Sequence, residues 1–327
     1  MTATTAPSNL RFSNADITRD DTQIARATVS AVNRRLMPFL FLLYIFNFLD
    51  RSNVGFAALQ MNRDLGFSSA AFGLGAGIFF VGYSLFEVPS NLLLVRFGAR
   101  KWIARIMITW GIIAVLMMFV RTTTQFYTLR FLLGVAEAGF FPAIMYYLSQ
   151  WYPASMRASS GARFMIAIPL SGALGGPLSG WLLSVGGQSG LAGWQCLFLI
   201  EGLPSVILGF VVLRYLTERP EQATWLAAEQ RAWLTARLEN DRSTSVAPHG
   251  LPPLRALAHP LIWLAALPEL LVTTAGYAYL FWGPILIRDA LKLTALEIGL
   301  LKPQADEYLL GFRRARGIRV LCADDLV

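Results

Sequence analysis

An all-α membrane protein is what this sequence predicts, and three observations lead there. Of 327 residues, 55% are hydrophobic and only 15% charged, against about 25% charged in a typical soluble domain; the mean hydropathy is +0.50. Seven apolar stretches, 36–59, 70–95, 103–120, 126–149, 164–185, 194–216 and 261–287, stand clear of their surroundings. Each approaches or exceeds the roughly 20 residues that cross 30 Å of hydrocarbon. Basic residues crowd alternate connections: Arg26, Arg34 and Arg35, then Arg96, Arg100, Lys101 and Arg105, then Arg157 and Arg163, then Arg214, Arg219, Arg231 and Arg237. The intervening loops hold only Arg51, Arg63, Arg121, Arg288 and Lys292. Positive loops stay cytoplasmic, so the N-terminus is expected inside.

The net charge of +8 is spread over those loops rather than gathered into a patch that would suit nucleic acid. Cys196 and Cys322 are far apart without histidine partners, and both histidines, His249 and His259, fall in one polar connection. No disulfide framework, metal site, phosphate loop or nucleophile–base pair is predicted, and no cofactor. An enzyme has nothing to stand on here. The opening residues lack an apolar stretch, so no cleavable signal peptide is expected.

The connections organise the chain. Residues 1–35 read as a cytoplasmic tail, 36–216 as a six-helix bundle, and 217–260 as a cytoplasmic connection. Residues 261–301 hold the seventh helix and a continuation, and 302–327 form a charged tail. Within 221–240, Trp225, Leu226, Trp233, Leu234 and Leu238 recur at helical spacing. That predicts an amphipathic helix, lying at the membrane interface or on the helix ends, or else a solvated linker helix. In the fifth span Gly172, Gly176 and Gly180 form a small-residue stripe, and Gly73 and Gly77 are expected to act similarly in the second. Pro89, Pro142, Pro169 and Pro177 predict kinks.

Charged residues inside spans carry the functional information, because each costs roughly 2.5–3.5 kcal/mol at a helix centre. Those singled out are Asp50 and Arg51 in the first span, Glu87 in the second, and Arg130 and Glu137 in the fourth. Arg130 and Glu137 are two helical turns apart and share a face. A cavity-facing arginine can hold a carboxylate through two hydrogen bonds, and a half-buried acid near a guanidinium can take up and release protons. The competing reading is structural: ion pairs Arg130–Glu137 and Asp50–Arg51 that tie helices together. For Glu87, beside Pro89 and Asn91, a structural network near the cytoplasmic end is the preferred reading. Asn47 and Tyr83 could complete a pocket. A seven-helix receptor explains neither this charged set nor the long connection after the sixth span.

Taken in order, LDRSNVGFA at 49–57, GYSLFEVPSNLLL at 82–94, RFGARKW at 96–102, RFLLGVAEAGFFPA at 130–143, GGPLSGWLL at 175–183, GWQCLFLIEGLPS at 193–205 and FWGPILI at 281–287 resemble a known pattern. They look like the N-terminal part of a major facilitator superfamily transporter, of the anion:cation symporter family. The resemblance covers about 36–301. It implies a six-helix N-terminal bundle plus a seventh transmembrane helix, and proton-coupled symport of an organic anion, a carboxylate or sugar acid, by a monomer in the cytoplasmic membrane. By the same resemblance Asp50 and Glu137 would couple protons, while Arg51, Arg130, Tyr83 and Asn47 would meet the substrate. Gly98, Arg100 and Lys101 match the family's conformational-switch loop, where the usual acid before the glycine is absent. ALEIGLL at 295–301 matches the approach to an eighth helix. The charged stretch after Leu301 departs from the family's twelve-helix plan; the expectation is a truncated or frame-shifted product, so that a membrane fragment without transport of its own is the alternative function.

Overall fold

The computed structural model describes residues 14–186, 190–244 and 260–301. The charged stretch after Leu301 and both histidines lie outside them. Among the described residues the chain is helical throughout, with seven helical spans long and apolar enough to cross a membrane. They fall on the seven stretches the sequence predicts.

Helix α1 runs Asn14–Asp64, α2 Ser69–Phe97 and α3 Ala99–Leu116. The fourth span is two helices, α4 Thr123–Glu137 and α5 Phe140–Ser149. So is the fifth, α6 Ala154–Met165 and α7 Ala167–Val185. Then come α8 Gly193–Tyr215, α9 Ala228–Thr244 and α10 Pro260–Leu291. A further helix opens at 295, and its start is capped by a reciprocal box. The Thr294 backbone N–H donates to Glu297 Oε2 at 2.8 Å, and the Glu297 N–H returns to Thr294 Oγ1 at 3.4 Å.

The break in the fourth span is set by Gly139 rather than by Pro142. Gly139 sits at φ +84°, where only glycine is comfortable, and a Cβ there would run into the Ser90 side chain. Ser90 Oγ donates to the Ala138 carbonyl at 2.7 Å and accepts from Trp102 Nε1 at 3.0 Å. A carbonyl freed by the break is thus satisfied without water. Pro142 lies in the first turn of α5, where its missing N–H costs nothing. In the fifth span the break at Ile166 fits Pro169, which cannot donate back to Met165.

Close approach of backbones assembles the bundle, as membrane helices require. α2 and α4 meet where a Cβ on Gly82 would strike the Phe131 carbonyl and one on Gly134 the Phe79 carbonyl. α3 and α8 meet at Gly111, Gly202 and Gly209. Gly77, predicted to pack, has open space around it, and Gly73 meets only the ring edge of Trp282. The reason is register: Gly75 and Gly82 lie on the face turned to α4, whereas Gly77 points outward. In α7, Gly180 faces the Ala295 backbone, and Gly176 lies against Gly299, so this stripe receives the chain that follows α10. On α1, a Cβ at Gly55 would lie 2.7 Å from the Leu280 carbonyl oxygen, which brings α10 onto α1.

The outward faces are apolar, with Leu74, Leu85, Val88 and Leu92 exposed on α2 and Leu203, Ile207 and Phe210 on α8. Hydrocarbon is the solvent such faces need. α9 lies on the helix ends, not apart from them: Leu226, Leu234 and Leu238 are buried in the same core as Val32 and Leu36 of α1. Trp225 stacks on Trp151 at 5.4 Å and donates to Thr217 Oγ1. Arg35 lies over the rings of Tyr215 and Trp225, and Asp241 Oδ2 accepts the Ala154 N–H at 2.7 Å. The solvated-linker alternative is excluded.

If the glycines set helix approach, Gly134→Val forces α2 and α4 apart and lowers stability by about 1–3 kcal/mol. The same change at Gly77 stays within about 0.5 kcal/mol. Thermal unfolding of both variants in one detergent distinguishes them.

Candidate functional site

The centre of the bundle is built on the end of α4. The break after Glu137 leaves this carboxylate at the last helical position, almost fully buried. Its Oε1 accepts Asn47 Nδ2 at 2.7 Å and Arg51 Nε at 3.0 Å, and Arg51 Nη2 closes an ion pair with the same oxygen. Asn47 and Arg51 are four residues apart on α1, one turn, so both reach one acceptor. Arg51 Nη1 donates onward to the Tyr277 hydroxyl of α10. The guanidinium lies against the rings of Phe79, Tyr83 and Tyr277, at 5.7, 5.2 and 5.9 Å. Aromatic faces hold a cation where lipid would not.

Arg130 takes a different position. It is 2% exposed, with Nε on the Gly75 carbonyl at 3.3 Å, Nη2 on the Ala76 carbonyl at 3.4 Å and its charge 4.7 Å from the Phe79 ring. The ion pair Arg130–Glu137 does not form. Two turns along one helix separate their Cα atoms by about 10 Å, so each acquires its partner from another helix. Arg51 and Arg130 therefore both lie near Phe79, one engaged by a carboxylate and the other by carbonyls and aromatic rings.

Asp50 and Arg51 do not pair either. Adjacent helix positions point about 100° apart, and Asp50 turns toward α3. There it accepts the Trp110 indole N–H and, at 3.2 Å, Asn53 Nδ2. A sixth charged residue belongs with it: Glu201 of α8, 1% exposed, accepts Ser179 Oγ at 2.8 Å. Glu201 is absent from the residues singled out by sequence, although a lone acid inside an apolar span is the same signal that marks Glu137. Tyr277 is absent as well, since a tyrosine in a span reads as ordinary. Glu87 is half-buried and forms no hydrogen bond or ion pair among the described residues; the network expected around it is centred on Ser90.

Gly98, Arg100 and Lys101 lie at the turn between α2 and α3. Gly98, at φ +85°, ends α2 with its N–H on the Leu94 carbonyl. The acid absent from the loop's own sequence comes from beyond α8. Glu218 Oε2 accepts the Arg100 N–H at 3.2 Å, and a Cβ on Gly98 would stand 2.6 Å from Glu218 Oε1. A cleft of about 400 Å³ beside it is lined by Arg96, Arg100, Lys101, Glu218 and Arg219.

A bundle broken at its fourth and fifth spans around a central arginine–glutamate pair is a familiar construction, and comparison with known proteins decides which. The Major Facilitator Superfamily model matches residues 40–303. The chain belongs to the Major Facilitator Superfamily. It is 54% identical over 276 residues to a protein named "Putative tartrate transporter" in Agrobacterium vitis, covering 83% of this chain and 62% of that one. It is 40% identical to the inner membrane transport protein RhmT of Escherichia coli, over 80% and 61% of the two chains. The chain thus spans about three fifths of the length of these curated relatives. Among solved structures, the inward-facing bacterial homolog of the human lysosomal transporter Spinster superposes with a TM-score of 0.67. It shares 18% identity, covers 86% of this chain and 62% of that one, and supports the fold alone. This superfamily is one of transporters, not enzymes, and the chain is a multi-pass membrane protein.

Removing one partner from a buried ion pair leaves the other charge stranded, at about 3–5 kcal/mol. Glu137→Ala is therefore expected to lower stability by that order, and Glu87→Ala by less than about 0.5 kcal/mol. Unfolding in detergent, followed by circular dichroism, compares the two.

Proposed function

We propose that the chain forms the N-terminal part of a proton-coupled symporter for a small organic anion, a carboxylate or sugar acid. The observation that carries this reading is the Arg51–Glu137 pair, buried in the bundle and tied through Tyr277 to α10. A guanidinium held by one carboxylate exchanges it readily for another, because geometry and charge are the same. An arriving substrate carboxylate takes Arg51, and Glu137, losing its counter-ion in a low dielectric, takes a proton. Anion and proton then bind as one event, which is what symport needs. The relatives named for tartrate support an organic anion.

In this reading Arg130, engaged by carbonyls and aromatic rings, supplies the second positive charge toward the anion. Tyr83 and Asn47 shape its pocket, and Asp50 is the second proton-coupling acid. Residues 36–216 act as one rocking half and the chain from 261 belongs to the other. Contact between Gly98, Arg100 and Glu218 latches the cytoplasmic end in one of the two states. The carrier works as a monomer in the cytoplasmic membrane, with its N-terminus inside, as the loop charges favour. A second reading is that these residues act as a fragment, without transport of their own; they span about three fifths of their relatives' length.

Proteoliposomes containing the purified chain, given an inward proton gradient and tartrate, test both readings. Symport predicts uptake that rises with the gradient, falls to background in Arg130→Ala, and loses its response to pH in Glu137→Gln. Uptake indifferent to the gradient, or full activity in both variants, refutes the proton-coupled reading. No uptake at all, with uptake by a carrier of the relatives' full length, establishes the fragment.

A further inference from the structure

Next to the arginine–glutamate site, about 100° around α1, lies a second polar cluster with a different charge balance. Asp50 of α1 and Glu201 of α8 are both buried, at 3% and 1% exposure, and Asp50 acts electrostatically on Glu201. Asn53 stands beside both. The cluster holds no cation. Among the described residues no arginine, lysine or histidine pairs with either acid, and the nearest guanidinium, Arg51, is directed away to Glu137 and Tyr277. The groups facing it from neighbouring helices are the Trp110 indole from α3, the Ser179 hydroxyl from α7, and, from α4, another acid, Glu137.

Two atoms in this cluster lack any hydrogen-bond partner: Glu201 Oε2 and Ser205 Oγ, the latter on a residue with no exposed surface. Ser205 stands near enough to Asp50 to favour its charge, although its hydroxyl lies outside ordinary hydrogen-bond geometry. Two ionised carboxylates in one buried cluster, with no counter-ion, repel each other and forgo hydration. One hydrogen on Glu201 Oε2 removes the repulsion and converts an orphan acceptor into a donor for Asp50 or Ser205. A metal cation suits the space less well. Trp110 and Asn53 point N–H groups at Asp50, whereas a hard cation needs a shell of oxygen ligands.

We propose that Asp50 and Glu201 share a single proton across the α1–α8 interface, making Glu201 a proton-binding residue that works in tandem with Asp50. The inference deepens the proton-coupled reading and rests on it for its role in transport, but the shared proton itself is measurable without transport. Two acids that bind one proton titrate as a pair. Asp50 thereby senses α8 on one face of α1, while its neighbour Arg51 senses substrate on the adjoining one.

The full chain in lipid nanodiscs is treated with dicyclohexylcarbodiimide, which attacks protonated carboxyls in apolar surroundings, and adducts are located by mass spectrometry. Wild-type chain is expected to label at Asp50 or Glu201, with labelling that fades as pH rises. Glu201→Gln removes the repulsive partner, so Asp50 labelling at fixed neutral pH should fall about tenfold, the size of a one-unit coupling between acids. Glu87→Gln should leave it unchanged. Should Glu201→Gln fail to fold, Asp50→Asn read at Glu201 reports the same coupling. Asp50 labelling unaltered by Glu201→Gln overturns the proposal, whatever the uptake assay shows. So does protection of both acids by sodium at constant pH, which assigns the cluster to a metal cation. Loss of proton-driven uptake with the shared proton intact would instead refute the transport reading alone.

Discussion

A charge in hydrocarbon must be partnered, and the Arg51–Glu137 pair is where this chain meets that constraint most directly. Glu137 sits at the end of α4, Arg51 one turn beyond Asn47 on α1, and the guanidinium reaches a third helix through Tyr277. Three helices are therefore held in register by one pair of charges. The helix break at Ala138–Gly139, the capping of its freed carbonyl by Ser90 and the close approach of α2 to α4 all serve to place Glu137 there. An ordinary ion pair between two helices would tie the bundle shut. One that shares its cation with a tyrosine hydroxyl and three aromatic faces has other ways to be satisfied, and can open.

α1 works as the dividing wall of the bundle. One of its faces presents Asn47 and Arg51 to the centre; another presents Asp50 and Asn53 to α3 and α8. Two polar sites of different character thus lie on adjoining faces of one helix, about 100° apart. The central one is cation-rich, with Arg51 and Arg130 both near the Phe79 ring. The other one is anionic and otherwise lined by neutral donors. Rotation or tilt of α1 moves both at once, which is the simplest physical route by which an event at one is felt at the other.

The helix ends beneath α9 are bound by different forces. Trp151, Trp225, Tyr215 and Arg35 form a stacked group under α9, where aromatic surface and a cation meet at the edge of water. Next to it Glu218 completes the turn between α2 and α3. A loop that lacks its own acid has thus borrowed one from a segment distant in sequence, and the position of the turn depends on that of the segment after α8.

Spans, their number and the presence of charges inside them were legible in the sequence, because hydrophobic length and the cost of a buried charge are local properties of the chain. Asp50, Arg51, Arg130 and Glu137 stood out for that reason, and Glu201 carried the same mark. What the sequence could not decide was pairing. Arg130 and Glu137 share a face yet lie too far apart along the helix to meet, and Asp50 and Arg51 are neighbours that point different ways. Gly77 seemed a packing glycine until the register of α2 turned Gly75 and Gly82 to α4 instead. Which charge finds which depends on the angle and height at which helices cross, and only the assembled bundle settles those.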